Sequence, residues 1–187
     1  PDHGRRGMAL AARVLDELRP GLAPEVLAQR PNVAQRLATA RRVVCYGVGR
    51  EGLMMRALTM RLYHLGLDAH VQGDMTTPPV GLGDVLFVSA GPGSFSTVAA
   101  LVGVAQDAGA AVICITAEPD GAVPRSTDMV IHLPAQTMAA DQGAKRSSIL
   151  PMGSLFEALM FLFLELLVLD LRDRLGVSPE AMRSNHT

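Results

Sequence analysis

Gly47, Gly49 and Gly52 form G-x-G-x-x-G between the apolar run VVCYGV (43–48) and a helical stretch. That spacing brings free backbone N–H groups and a helix N-terminus to one place, which suits an anion. A second turn of the same kind follows in FVSAGPGSFSTV (87–98), where Ser89, Gly91 and Gly93 lead into Ser94, Ser96 and Thr97. The hydroxyls could bind a ligand or cap the next helix. A dinucleotide would be the commonest guest of the first turn, with an acidic residue about 20 positions later to take its ribose. Asp74 stands near that distance, but between Gly73 and the run Met75–Pro79, in a loop rather than at a strand end. The bland alternative is glycine for a tight turn and close helix packing. Glu157 is a second feature, because a carboxylate in an apolar helix is costly unless it is paired or reaches a cavity. A first-turn glutamate that meets the helix dipole would also explain it. The chain's 5 histidines and 2 cysteines show no metal-ligand spacing, and no cofactor is expected. His132, within an apolar strand, reads as a core residue, while His64 and His70 flank a helix end where a positive charge is favoured.

The elements that must hold these residues alternate. Residues 8–19 and 22–40 read as helices that form an N-terminal arm over 1–41, punctuated at Pro20 and Gly21. Strands follow at 43–48, 67–72, 84–89, 111–116 and 128–133, with helices over 50–65, 95–108 and 152–175. Strand, crossover helix and strand in series predict an α/β fold, a five-stranded parallel sheet sandwiched by helices in the doubly wound manner, with residues 1–187 as one domain. The two glycine turns would then meet at the carboxyl edge of the sheet, where open α/β sheets bind ligands. The loop 134–151 is the longest irregular piece, and long loops in compact domains are often functional.

Composition narrows the function. With 17 Lys and Arg against 18 Asp and Glu, and no run of like charge, nothing points to nucleic acid or an acidic membrane surface. The partner is expected to be small. An apolar fraction of 49% with only 19% charged residues leaves apolar surface to cover, so a homo-oligomer is expected. Leu155–Leu171 is interrupted by Glu157, Glu165 and Asp170 and falls short of a membrane span. Cys45 and Cys114 sit in strand-like runs as core thiols, which suits a cytoplasmic protein.

Taken together, VVCYGVGREG (43–52), MRLYHLGLDAHVQGDMTTPP (60–79), DVLFVSAGPG (84–93) and LPMGSLFE (150–157) resemble the 6-phospho-3-hexuloisomerase group of the sugar isomerase (SIS) domain family. MTTPP, with Thr76, and LPMGSLFE are the most specific parts. The resemblance implies a tetramer, sites at subunit contacts, and interconversion of a 3-hexulose 6-phosphate with fructose 6-phosphate through an enediol. It makes Glu157 the base and His186 of the terminal SNHT a proton shuttle, with Gly47, Gly49, Arg50, Glu51, Ser89, Gly91, Gly93, Ser94, Ser96, Thr97 and Thr76 around the ligand.

Four positions depart from that pattern. Glu51 stands where the resembled isomerases have a small hydroxyl residue, and Ala90, Pro92 and Phe95 stand where they have hydroxyls. A carboxylate at Glu51 meets the helix dipole but repels a phosphate seeking the same N–H groups. Arg50, Ser94, Ser96, Thr97, Lys145 and Arg146 are the candidate replacement donors. Two classes therefore stand: a sugar-phosphate isomerase, and a catalytically silent or re-purposed module that binds a carbohydrate derivative.

Overall fold

The computed structural model describes residues 2–187. Its sheet follows the order β2-β1-β3-β4-β5, formed by β1 (Val43–Tyr46), β2 (Ala69–Val71), β3 (Val85–Ser89), β4 (Ala111–Thr116) and β5 (Met129–His132). Every pairing is parallel, with Val43 opposite Val85 and Tyr46 opposite Val88. Crossover helices cover both faces, as parallel strands require. The helices are α1 (Asp2–Leu18), α2 (Pro24–Leu27), α3 (Arg30–Thr39), α4 (Gly49–His64), α5 (Ser96–Asp107), α6 (Ser154–Leu175) and α7 (Pro179–Ser184).

Alternation along the strands divides the core. Val43, Cys45, Val85, Phe87, Ile113 and Ile115 pack with α3, α4 and α6 on one face. Val44, Leu86, Val88, Val112 and Cys114 meet α5 on the other. At the amino edge, the buried Asp84 carboxylate accepts two hydrogen bonds from Arg41, at 2.9 and 2.8 Å, and one from the Gly81 N–H. The Arg41 guanidinium holds that carboxyl below its ordinary range. This clamp ties the starts of β1 and β3 together.

The expected architecture is present, with differences in detail. The stretch 22–40 is not one helix: Pro24 and Pro31 each sit in the first turn of a new helix, where the missing N–H costs nothing. α3 buries Val33, Ala34 and Leu37 and belongs to the core, so α1 alone projects as an arm. α7 was not expected; Ser178 caps it by accepting from the Ala181 N–H. His132 is exposed on the edge strand rather than in the core. Its backbone is held by the Gln29 side chain, which bonds both the N–H and the carbonyl. His64 is buried, and burial lowers its pKa, which disfavours a cation at the end of α4. Cys45 and Cys114 are buried free thiols, each pushed up to about 12 by burial. No helix among the described residues is long and apolar enough to cross a membrane.

Met8 and Leu15 on α1, and Phe161, Leu162 and Leu169 on α6, leave apolar side chains exposed. Light scattering at micromolar concentration is expected to report a homo-oligomer, with a tetramer as the state the resemblance implies; a monomer would remove that expectation. The turn after β3 also packs backbone to backbone against the turn after β4. A Cβ on Gly121 would lie 2.5 Å from Gly93 Cα, so Gly121→Ala should cost about 1–3 kcal/mol in urea unfolding.

Candidate active site

The strand order reverses between β1 and β3, and the crevice beyond their carboxyl ends is where an open α/β sheet holds a ligand. Here the first glycine turn leads into α4 and the second leads into α5. In the first, Gly47 and Gly52 are there for packing: a Cβ on Gly52 would come within 2.4 Å of the Gly47 carbonyl oxygen. Gly49 adopts φ +57 at the start of α4, a conformation that favours glycine. A cavity of about 300 Å³ opens at this edge, lined by both turns, the end of the long loop and the first turn of α6.

Glu51 is the unexpected occupant. Its backbone lies in the first turn of α4, but its carboxylate crosses the crevice to the second glycine turn. There Oε1 accepts from the Ser89 hydroxyl, and from the Gly91 N–H at 2.9 Å. The residue is 8% exposed. Burial raises its pKa above the ordinary 4.5; the bonds from Ser89 and Gly91 oppose that rise, and the nearby Glu157 charge adds to it. A Cβ on Gly91 would lie 2.7 Å from Glu51 Oε2 and 2.9 Å from the Phe156 ring, so only glycine admits this arrangement.

Glu157 lies in the first turn of α6 with its side chain 12% exposed, and it is ion-paired with Arg50 from the other wall. The long loop delivers it. Buried Gln136 accepts from the N–H groups of Ser147 and Ser148 and donates to the Met152 carbonyl at 3.0 Å. Met152 takes φ +54, strained for a side chain of its size, immediately before the N-cap Gly153. Glu17 of α1 fastens the same loop through Ser148 and the Ile149 N–H.

The structure thus brings Gly49, Arg50, Glu51 and Glu157 to one cavity, with Ser89, Gly91 and Gly93 just behind its wall. Ser94, Ser96, Thr97 and Thr76 are exposed and do not line it; nor do Lys145 and Arg146. His186 is elsewhere in the chain, with its ring centroid 5.3 Å from that of His64 and beside Arg61 and Arg183. Asp74 is exposed and pairs with Arg56 at 3.6 Å. Sequence reasoning missed Thr137, which lines the cavity with its buried hydroxyl unpartnered. The length of the loop was the only signal for it.

Residues 36–162 match the SIS domain. The chain belongs to the SIS domain family. It is 36% identical over 154 residues to a 3-hexulose-6-phosphate isomerase of Mycobacterium gastri, covering 82% of this chain and 76% of that protein. A 3-hexulose-6-phosphate isomerase of Bacillus subtilis is 29% identical over 175 residues, 94% of each chain. A solved structure from Methanococcus jannaschii, for which that same activity was inferred, superposes with a TM-score of 0.81 at 26% identity, covering 97% of this chain and 98% of the other. Its named relatives are thus sugar-phosphate isomerases, and the sandwich is the fold of the SIS family.

The burial of Glu51 has a pH signature. The folded state holds its proton more tightly than the unfolded chain does, so this group's contribution is fully present below the ordinary value of 4.5. It is lost as pH rises through the higher folded value. Urea unfolding of the wild type should therefore lose stability relative to Glu51→Gln as pH rises above 4.5. Parallel profiles for the two proteins would show that the carboxylate is solvated.

Proposed function

We propose that this chain is a ketohexose-phosphate isomerase acting through an enediol, with Glu157 as the base. The observation that carries the reading is Glu157 itself, a largely buried carboxylate at the wall of a cavity that also holds an unpartnered hydroxyl, in a chain 36% identical to a 3-hexulose-6-phosphate isomerase. In such a reaction the base takes the C–H proton from the hydroxyl-bearing carbon beside a carbonyl, the O–H proton of that carbon passes to the carbonyl oxygen, and the base returns its proton to the former carbonyl carbon. The carbonyl has then moved by one position, with no oxidant or cofactor required. Thr137 lines the cavity and has a buried hydroxyl without a partner, which is a candidate donor to a sugar oxygen as it gains charge. Phe95, Met138, Met152 and Phe156 give the cavity an apolar lining. His186 as proton shuttle requires a neighbouring copy to present it, because within one chain it stands with His64.

A second reading, a re-purposed module that binds a carbohydrate derivative, is favoured by one observation: Glu51 occupies donors of the second glycine turn. A thermal-shift screen of sugar phosphates against their dephosphorylated counterparts separates the two.

Glu157→Gln keeps the shape of the side chain and removes the base, so it should lower turnover of a hexulose phosphate by at least ~10²-fold without weakening ligand binding. Equal loss of affinity and rate would make Glu157 a structural residue. Absence of isomerisation of every hexulose and pentulose phosphate by the wild type would leave the binding module as the function.

A further inference from the structure

A phosphate needs cations or free N–H groups, and this cavity has few to give. At the second turn, the Ser89 hydroxyl and the Gly91 N–H already serve Glu51. Ser94, Ser96 and Thr97 are exposed and do not line the cavity. What remains lies at the first turn. α4 is 16 residues long, and its N-cap, Val48, makes no side-chain cap, so the helix end opens uncapped on the cavity. Arg50 stands in the first turn of that helix and is the sole cation among the lining residues. Thr137, which lines the same cavity, keeps a buried hydroxyl without a partner, an observation independent of the helix end.

Arg50 is not idle, however. Its Nε–H donates to Glu157 Oε1, the carboxylate that has to accept the substrate's proton. A carboxylate that already accepts a charge-assisted hydrogen bond is a poorer proton acceptor. The Arg50 side chain is 70% exposed, and a phosphate dianion, with more charge than a carboxylate, competes with Glu157 for the same guanidinium.

We propose that Arg50 is the phosphate-recognising residue of this pocket and also a clasp on Glu157, so that the substrate's own phosphate releases the base. The inference rests on the isomerase reading above. A dianion seated at the uncapped start of α4 draws the guanidinium away from Glu157 and supplies the hydrogen-bond acceptor that Glu157 supplied before. Glu157 is then free to take up the proton. Nothing is transferred to Arg50, which keeps its charge throughout. An unphosphorylated sugar of the same shape leaves the clasp closed. Phosphate recognition thus moves from the second glycine turn, where Glu51 has filled the donors, to the first, and becomes coupled to the chemistry.

Calorimetric titration of inorganic phosphate and of fructose 6-phosphate into the wild type, Glu157→Gln and Arg50→Gln tests this without relying on turnover. Glu157→Gln removes the competing carboxylate and should bind both ligands at least about threefold more tightly than the wild type. Arg50→Gln should lose most of the phosphate affinity, and Arg50→Lys should restore part of it. In turnover, added inorganic phosphate should speed the wild type on unphosphorylated fructose and have no such effect on Arg50→Gln. Unchanged phosphate affinity in Glu157→Gln, or full phosphate affinity in Arg50→Gln, overturns the proposal. A wild type without isomerase activity removes the isomerase reading, yet the binding results still decide whether Arg50 holds phosphate in competition with Glu157.

Discussion

The burial of α6 is the constraint on which the other parts depend. Leu155, Phe156, Leu159, Met160, Phe163, Leu164, Leu167, Val168 and Leu171 are all withdrawn from solvent along its length. Burial of each large side chain contributes about 1.5–3 kcal/mol. The helix packs against α3 and α4 and so closes the larger half of the core, while Gly176 in the left-handed conformation ends it. Because so much apolar surface fixes its position, its first turn is held rigidly at the carboxyl edge of the sheet. Glu157 therefore reaches the cavity from a rigid element, although the loop before it carries a strained Met152. Gln136 and Glu17, each bonded into that loop, keep its end in place against the helix.

The second organising contact is the carboxylate of Glu51. It joins the first glycine turn to the second across the point where the strand order reverses. In an isolated helix that glutamate would face solvent and the dipole of its own N-terminus. Here the crevice is narrow, Gly91 leaves room, and Ser89 presents a hydroxyl from the end of β3. Two donors compensate in part for the loss of water, and burial still dominates its protonation. The consequence is an anion-binding turn that the protein itself has filled.

Much of this was legible in the chain. Five β-branched runs separated by helical stretches give a parallel sheet, since strand alternation and crossover length leave few other arrangements. The strand at 111–116 matches to the residue. Local signals also placed both glycine turns and the first-turn position of Glu157, because turn glycines and helix starts are decided by neighbours in sequence. The longer helix expected over 22–40 failed for a local reason as well: Pro24 and Pro31 were there to be weighed, and each starts a separate helix.

What the sequence could not decide were contacts made across long separations. Its composition and turn spacing determined the fold class, the carboxyl-edge location of the pocket and the identity of its first-turn residues. Only the packed structure decided that the Glu51 side chain would leave its own helix for Gly91, 40 residues away, and that Arg50 would find Glu157, 107 residues away. It alone left Thr137 buried without a partner, and set His132 outward on an edge strand. Periodicity records which side of an element is apolar, whereas the partner of a polar side chain depends on which other elements the whole core brings within hydrogen-bond reach.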